Sequence, residues 1–338
     1  MNKKITTPWK SQNNGFAEAI NYMTKRKAGL ITSIKTPWAK FNDATIDGLE
    51  WNTINIIAGR PGTGKTCIKD LIITEAHNLN PNEKFRVLEF QLEMHPRVTA
   101  LRRYSSKTRT SYKQLCSAEG VVDDAIIEQC KQYAINNSNA PIDVVDTSVT
   151  VDEFEQIIDK YMEDFHFVET VNQADDSSIS IKRHTKTIIT LDHSILLKKA
   201  SNEKDKQETL HNLGERLTKL KKKYPVIFII LSQLNRNVES LDRNEDGKYG
   251  NYILTSDIFG GDALLQHADI VVGLNLPGKY NIKFYGPERF IIADKRVLVM
   301  HFLKCRNGET GMSFFNTEFE YMIINEAQTP PKQSLRTI

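Results

Sequence analysis

The sequence predicts an α/β fold in which a mostly parallel sheet is covered by helices on both faces. Short β-branched runs alternate with helical patterns along the chain, and several of these runs, such as residues 226–231, are apolar throughout. Strands that are buried on both faces of a parallel sheet have this composition. A glycine-rich loop at residues 59–66 also lies between the first such strand and a helix, as in many folds of this class.

The first predicted element is a short amphipathic helix over residues 16–28. Phe16, Ile20 and Met23 follow one another at helical spacing and share one face, and Gly29 can stop the helix. This apolar face must cover another part of the same chain or a neighbouring subunit. We therefore predict an N-terminal segment over residues 1–30, followed by a large domain over residues 31–326.

Strands and helices alternate through the large domain. Strands are predicted at residues 53–58, 86–91, 142–145, 187–191, 226–231, 269–274 and 297–303. Helices are predicted from Gly64 to His77 and at residues 121–135, 150–162 and 210–224, and the last has a stripe of leucines that ends before Pro225. Residues 172–184 are predicted as a polar surface insertion, residues 235–252 as a long mobile loop, and residues 327–338 as a disordered tail.

Composition narrows the class of protein. The chain has 338 residues, 40% hydrophobic and 26% charged, as in an ordinary globular protein. It has no apolar run long enough for a membrane span, and its polar N-terminus does not resemble a secretory signal. Four scattered cysteines without metal-ligand spacing favour free thiols and a cytoplasmic location. A net charge of +3 is too small to indicate nucleic-acid binding by itself.

The loop at residues 59–66 reads Gly-Arg-Pro-Gly-Thr-Gly-Lys-Thr and matches the phosphate-binding pattern G-x-x-x-x-G-K-[ST]. In such loops the backbone N–H groups surround phosphate oxygens, the lysine reaches the β- and γ-phosphates, and the hydroxyl ligates Mg²⁺. ATP and Mg²⁺ are therefore the expected cofactors. The predicted nucleotide-binding residues are Gly59, Arg60, Pro61, Gly62, Thr63, Gly64, Lys65, Thr66 and Cys67.

Three further residues are predicted to complete the chemistry. Asp192 ends an apolar strand and is the predicted second Mg²⁺ ligand beside Thr66. Glu93 lies just beyond another strand and is the candidate general base, with Glu89 as the competing candidate. Gln233 ends the apolar strand at residues 226–231, where its amide can contact the γ-phosphate.

Taken in order, these stretches resemble the RecA-like motor of DnaB-type replicative helicases. The motifs are Gly59-Arg-Pro-Gly-Thr-Gly-Lys-Thr66, Gln91-Leu-Glu-Met94, Leu191-Asp-His-Ser-Ile-Leu-Leu197, Ser232-Gln-Leu-Asn-Arg236, Ser256-Asp257 through Gln266-His-Ala-Asp269, and Lys304-Cys-Arg-Asn-Gly308. The resemblance covers about residues 16–325. It implies a RecA-like P-loop NTPase core with a mostly parallel sheet flanked by helices, preceded by a short linker helix.

The resemblance also implies roles for particular residues. Glu93 would be the catalytic base, and Gln233 the sensor of the γ-phosphate. Lys304 and Arg306 would act on the nucleotide of the neighbouring subunit. The helix at residues 16–28 would correspond to the linker helix of the family, which docks on an adjacent protomer. The resemblance implies three kinds of partner: further copies of the chain in a hexameric ring, single-stranded DNA, and a primase or loader protein.

The sequence departs from the family in two places. Only residues 1–15 precede the predicted linker helix, where the family has an N-terminal domain. The family's DNA-gripping loop reads Asp-Leu-Arg-Glu-Ser-Gly, whereas residues 257–262 here read Asp-Ile-Phe-Gly-Gly-Asp. We therefore expect DNA contacts from the Gly-Gly turn and from nearby basic residues. The candidates are Arg236, Arg243, Lys248, Phe259, Gly260 and Gly261. The alternative is that Phe259 is buried and that this loop only seals a subunit interface.

Three functions are compatible with this pattern. The first is a minimal DnaB-like hexameric helicase that translocates on single-stranded DNA. The second is a RecA-fold ATPase that acts as a switch or loader on a protein partner, and the third is a recombinase-like filament ATPase. Stimulation of ATPase activity by DNA distinguishes the second from the other two, and a ring or a filament distinguishes the first from the third.

Overall fold

The structure, a computed structural model, describes residues 11–118, 122–172, 178–201, 203–235, 238, 243 and 252–333. A nine-stranded sheet runs through its centre in the order β13-β12-β11-β8-β1-β7-β6-β2-β3. The strands are β1 Thr53–Gly59, β2 Phe85–Gln91, β3 Ile142–Val145, β4 His166–Asn172, β5 Ser178–His184, β6 Lys186–Asp192, β7 Val226–Gln233, β8 Ile270–Asn275, β9 Phe284–Tyr285, β10 Phe290–Ile291, β11 Val297–Cys305, β12 Gly311–Glu318 and β13 Ile323–Glu326.

Helices cover both faces of this sheet. They are α1 Gln12–Lys27, α2 Ala39–Ala44, α3 Lys65–Leu79, α4 Pro96–Thr108, α5 Tyr112–Leu115, α6 Asp124–Asn136, α7 Val151–Asp164, α8 Lys206–Lys223 and α9 Gly261–Leu265. No helix among the described residues has the length and apolar content that a membrane span needs.

The predicted α/β class with a mostly parallel sheet is confirmed. The strands from β3 to β8 in the sheet order pair in parallel, and β11, β12 and β13 add antiparallel pairs at one edge. Alternate residues of each central strand supply the two faces. In β7, for example, Phe228 and Ile230 pack with the leucines of α8, whereas Ile229 and Leu231 pack on the side of α3.

The N-terminal helix is longer than predicted and lies on the surface. α1 begins after Ser11, whose side chain accepts a hydrogen bond from the Asn13 amide, and no residue of the helix is buried. Its C-terminal end is tied to the domain because Arg26 forms ion pairs with Asp47 and Glu50. The apolar stripe of Phe16, Ile20 and Met23 stays 59–68% exposed, so the described part of this chain does not cover it.

Within the polar insertion predicted at residues 172–184, the described residues Ser178–His184 lie at the surface and form a β-strand, β5. β5 pairs antiparallel with β4 from His184 opposite His166 to Ser178 opposite Asn172, which forms a hairpin separate from the main sheet. Residues 173–177 lie outside the described residues. The alternation of Ser and Ile in β5 is a pattern typical of a strand. It was not recognised because the residues around it are polar.

Other differences lie near the ends of the elements. The helix α4, which the sequence analysis did not predict, begins with Pro96, and the His95 side chain accepts a hydrogen bond from the Arg97 amide. Part of the tail that was predicted to be disordered is among the described residues: Ile291 N–H donates to the Lys332 carbonyl oxygen, and Phe290 bridges to Gln333. Most of the loop at 235–252 lies outside the described residues.

Candidate nucleotide-binding and catalytic site

The predicted site residues meet where the parallel strands end. Gly59 at the end of β1 lies opposite Gln233 at the end of β7, and Asp192 at the end of β6 lies opposite Gln91 at the end of β2. Glu93 follows two residues after Gln91. Ligands of open α/β sheets bind outside these carboxyl ends, so the topology brings together residues that are up to 174 positions apart, from Gly59 to Gln233.

The phosphate-binding loop has the backbone shape that its glycines allow. Gly62 and Gly64 have φ angles of 74° and 88°, which lie in the left-handed region, and α3 begins directly after Gly64. The Lys65 ammonium donates to the carbonyl oxygens of Gly59 at 2.9 Å and Arg60 at 3.1 Å, so it lies across the loop. Burial lowers the pKa of Lys65 to about 8, although the carboxylates of Glu93 and Asp192 oppose this shift.

Residues that the sequence analysis missed line the same loop. A Cβ atom on Gly64 would lie 2.5 Å from the ring of Phe319, so this ring and the loop backbone are in close contact. Lys279 donates to the Pro61 carbonyl oxygen at 3.3 Å, and the Arg60 guanidinium lies 3.5 Å from the centre of the Tyr280 ring. No local pattern could have identified residues that are more than 200 positions from the loop.

One predicted loop residue faces elsewhere. The Cys67 side chain is buried in the hydrophobic cluster between α3 and the sheet, and burial raises the pKa of its thiol. Any contact of Cys67 with a nucleotide would therefore involve its backbone amide and not its sulfur. The half-buried Thr66 lies in the first turn of α3, beside the loop.

Asp192 has the surroundings expected of a residue that binds a cation. Its side chain is 1% exposed, and Oδ1 is buried without a hydrogen-bond partner among the described residues. The other oxygen, Oδ2, lies 3.6 Å from the Lys69 ammonium. A buried carboxylate oxygen without a donor is costly unless a cation or a water molecule satisfies it. The Asp192 carboxylate therefore fits a divalent cation, and Thr66 in the first turn of α3 is the predicted second ligand.

The two candidate bases occupy different environments. The Glu93 side chain is 50% exposed, and its Oε2 lies 2.9 Å from Nε2 of His193. Glu89 is fully buried and bonded to Arg103 and Lys69, which hold its pKa below its usual range despite burial. A general base must reach water, so the geometry favours Glu93 over Glu89. His193, with a φ of 64°, is a further residue of this site that the sequence analysis did not single out.

Gln233 connects the site to the segment that follows β7. Its side chain is half-buried at the strand end, and its carbonyl oxygen accepts a hydrogen bond of 2.9 Å from the Phe259 amide. A contact between a γ-phosphate and Gln233 would therefore act close to the Gly-Gly turn at residues 260–261. This short connection is a structural basis for coupling the two regions.

Lys304 and Arg306 lie at the other end of the same sheet. β11 runs antiparallel to β8 and places Cys305 opposite Ile270, which itself pairs with Asn55 near the start of β1. The phosphate-binding loop follows the opposite end of β1. Arg306 is 52% exposed and lies 3.3 Å from Asp269, and the Lys304 ammonium donates to the Leu265 carbonyl oxygen. Both residues therefore lie far from the phosphate-binding loop of the same chain.

The candidate DNA contacts have mixed positions. Arg236 and Lys248 lie outside the described residues. Arg243 pairs with the buried Asp257 and donates to the Tyr252 carbonyl oxygen. Its guanidinium is therefore engaged inside the domain and does not have the exposed position expected of a phosphate contact. Its side chain instead holds the segment before α9 in place.

The turn beside this segment is also packed into the domain. Phe259 is half-buried against the hydrophobic core, and Gly260 has a φ of 64° with no room for a side chain, because an added Cβ would lie 2.3 Å from Leu210. Gly261 begins α9. Packing alone therefore explains Phe259 and Gly260, and within the turn only the backbone amides are left as candidate phosphate donors.

Comparisons with known proteins agree with this arrangement. The DnaB-like helicase C-terminal domain family matches residues 33–325. A solved ATPase domain of another protein has 18% sequence identity and a TM-score of 0.74, and the alignment covers 92% of this chain and 98% of that one. A search of curated proteins found no significant match.

A second solved structure is a DnaB-like replicative helicase that was described with its interactions with primase. It has 19% identity and a TM-score of 0.69, and the alignment covers 88% of this chain and 64% of that one. At these identities both likenesses concern the fold.

Proposed function

Because the chain belongs to the DnaB-like helicase C-terminal domain family, we propose that it is an ATP-hydrolysing motor that forms a hexameric ring and translocates on single-stranded DNA. The observation that carries the proposal is the placement of two half-sites at opposite ends of one sheet. Lys65, Glu93 and Asp192 lie at one end, and Arg306 lies at the other. A complete site then needs two subunits packed head to tail, which a closed ring provides and a filament can also provide.

The residues of the first half-site would divide the chemistry among them. The loop from Gly59 to Thr66 would bind the phosphates of ATP, with Lys65 beside the β- and γ-phosphates. Thr66 and Asp192 would hold Mg²⁺, which neutralises phosphate charge when it is bound. Glu93 would orient and deprotonate the attacking water, and Gln233 would respond to the γ-phosphate.

The ring is supported by a second surface. The exposed apolar stripe of α1 has no cover in the described part of the chain, and its anchored end next to Glu50 fixes where the helix leaves the domain. We propose that the stripe docks on the adjacent subunit. Arg306, with Lys304 behind it, would then reach the phosphates of that neighbour, since an arginine supplied in trans stabilises transition-state charge.

We propose that the motor moves along single-stranded DNA. A primase or loader as protein partner and a cytoplasmic location belong to the same proposal. The Gly-Gly turn would offer backbone amides to a phosphate, with Arg236 and Lys248 adding charge. The internal bond of Arg243 and the packing of Phe259 reduce the number of side chains available for DNA. These two observations favour the second candidate function, an ATPase switch or loader that acts on a protein partner.

We expect single-stranded DNA to stimulate the ATPase activity of the full chain. The comparison is the rate of ATP hydrolysis with and without an oligonucleotide, with Lys65→Ala as the control. This variant should lose ATP turnover under both conditions because the phosphates lose their buried cation. A wild-type enzyme that hydrolyses ATP at the same rate with and without DNA would exclude the helicase and support the ATPase switch that acts on a protein partner. If electron microscopy shows a filament, the result would support the recombinase-like alternative.

Two basic side chains provide a test of the DNA track. The Arg236→Ala/Lys248→Ala variant should bind single-stranded DNA more weakly, and its affinity should depend less on salt. Two lost phosphate contacts should make the slope of log K against log salt shallower by roughly 1.4. The measurement is fluorescence anisotropy of a labelled oligonucleotide at several salt concentrations.

The matched control for this test removes two exposed lysines that pair with local carboxylates. Lys131→Ala/Lys160→Ala should keep the wild-type slope, because these lysines pair with Glu128 and Asp164 on α6 and α7. If both double variants keep the wild-type slope, DNA does not contact Arg236 or Lys248, and the part of the proposed track that rests on these two side chains is wrong.

A further inference from the structure

A buried cluster of charged side chains lies directly behind the phosphate-binding loop. It contains two cations, Lys69 and Arg103, and three carboxylates, Asp70, Glu89 and Asp192. The side chains of Lys69 and Glu89 are fully buried. Buried ion pairs often stabilise a fold no better than well-packed apolar residues would. A cluster that ends on a predicted metal ligand therefore suggests a role in the site.

Lys69 is the member of the cluster that connects it to Asp192. Its ammonium lies 3.2 Å from Oε2 of Glu89, 3.2 Å from Oδ1 of Asp70 and 3.6 Å from Oδ2 of Asp192. The second cation, Arg103, pairs with Glu89 and Asp70. The cluster thus holds two cations with shared partners, and of these two it is Lys69 that contacts the predicted metal ligand.

The two oxygens of Asp192 are in different situations. Oδ2 faces Lys69, whereas Oδ1 is buried without a hydrogen-bond partner among the described residues. His193 Nε2 is 3.9 Å from Oδ1, which is too long for a hydrogen bond. One oxygen therefore faces a cation of the cluster, and the other has no donor and lies near the pair of His193 and Glu93.

We propose that Lys69 is a positioning residue that holds Oδ2 of Asp192 so that Oδ1 is kept for the divalent cation of the nucleotide site. The proposal rests on the proposed nucleotide-binding function. Residues that contact a metal ligand without contacting the metal orient that ligand and raise the affinity of the site for the metal. α3 makes this possible because it carries both Thr66 and Lys69, which are three residues and nearly one helical turn apart.

We expect Lys69 also to keep Asp192 from pairing with a competing cation, Lys65. The Lys65 ammonium lies near enough for Asp192 and Glu93 to act on it electrostatically. Without Lys69, the Asp192 carboxylate is free to turn towards Lys65. Such a pair would occupy a metal ligand and the phosphate-binding lysine at the same time. With Lys69 in place, Lys65 bonds to the loop carbonyl oxygens of Gly59 and Arg60.

Simple Coulomb repulsion makes the opposite prediction. If Lys69 acted only as a positive charge near the metal site, its removal would strengthen metal binding. A useful variant therefore removes Lys69 together with one carboxylate, so that the net charge of the cluster is unchanged. Glu89 is suitable because it pairs with both Lys69 and Arg103.

The experiment compares two double variants of the full chain. Lys69→Met/Glu89→Gln removes the cation that contacts Asp192, and Arg103→Met/Glu89→Gln removes the other cation and the same carboxylate. Mn²⁺ serves as the probe, and its binding to the protein–ADP complex is measured by electron paramagnetic resonance of the free ion. ADP affinity in EDTA and thermal unfolding are measured in parallel.

We expect Lys69→Met/Glu89→Gln to raise the dissociation constant of Mn²⁺ by about tenfold or more, as is typical when a partner of a metal ligand is lost. The Arg103→Met/Glu89→Gln control should remain close to wild type. Equal weakening in both variants, unchanged binding in both, or tighter binding in the Lys69 variant would overturn the proposal. A wild-type protein that binds neither ADP nor ATP would instead refute the proposed function itself.

Lys69→Gln provides a second route if the double variant does not fold, because its amide keeps hydrogen-bond donors near Glu89. The same loss of Mn²⁺ affinity is expected, with ADP affinity in EDTA retained. Wild-type Mn²⁺ affinity in Lys69→Gln would count against the proposal in the same way.

Discussion

Replacing Arg306 by alanine should lower ATP turnover by about 10³-fold or more, while ATP binding is retained. Arg306 lies at the end of the sheet opposite to its own phosphate-binding loop, so its loss leaves the binding of nucleotide by the same subunit intact. The missing guanidinium instead removes charge stabilisation from the site of the neighbour. ATP turnover and the affinity for a fluorescent nucleotide are the two measurements.

The fold should tolerate this change. Asp269, the partner of Arg306, also pairs with Lys221 at 2.6 Å and accepts a hydrogen bond from the Ile54 amide. Its carboxylate is therefore not left without a partner. Arg216→Ala is a matched control. Arg216 lies on α8, and it is also an exposed arginine that pairs with carboxylates, those of Asp152 and Glu155 on α7. This control should keep wild-type turnover.

Mixed subunits show whether Arg306 acts in trans. Arg306→Ala subunits keep Lys65, and Lys65→Ala subunits keep Arg306, so a mixture should contain some composite sites in which both are present. Turnover above that of either variant alone is expected. Wild-type turnover in Arg306→Ala, or full activity in a protein that remains monomeric, would contradict the trans arrangement.

The second large effect is expected for Glu93→Gln, which should lower hydrolysis by about 10²-fold or more and leave ATP binding in place. The amide has nearly the same shape as the carboxylate but cannot accept a proton from water. It can still pair with His193, so the local geometry should be kept. Single-turnover hydrolysis and nucleotide affinity together separate the chemical step from binding.

Glu89→Gln is the informative comparison because Glu89 is the competing candidate. Its carboxylate is buried and pairs with Lys69 and Arg103, so its loss should lower the free energy of unfolding. A stable, ATP-binding Glu89→Gln protein without hydrolysis, beside a Glu93→Gln protein with normal turnover, would show that the base has been assigned to the wrong residue.

Local features of the chain were predictable from the sequence. The strand, glycine-rich loop and helix around Lys65 follow one another within 27 residues, from Thr53 to Leu79, and each is specified by its own composition. Apolar runs such as the one in β7 indicated strands buried on both faces, and the leucine stripe of α8 indicated the helix that covers them. The N-terminal helix was also predictable, because its spacing is a local property.

Only the tertiary structure determined which distant residues meet. Asp192 lies beside Lys69 because β6 is next to β2 in the sheet and α3 packs over both strands. Phe319 contacts Gly64 although the two residues are 255 positions apart in the sequence. Strand order is set by packing of whole elements and leaves no periodic trace in the sequence. For the same reason Arg243, predicted as a surface contact, is bonded to Asp257. The partner of a charged side chain depends on how the chain returns to it, and its local sequence does not encode that path.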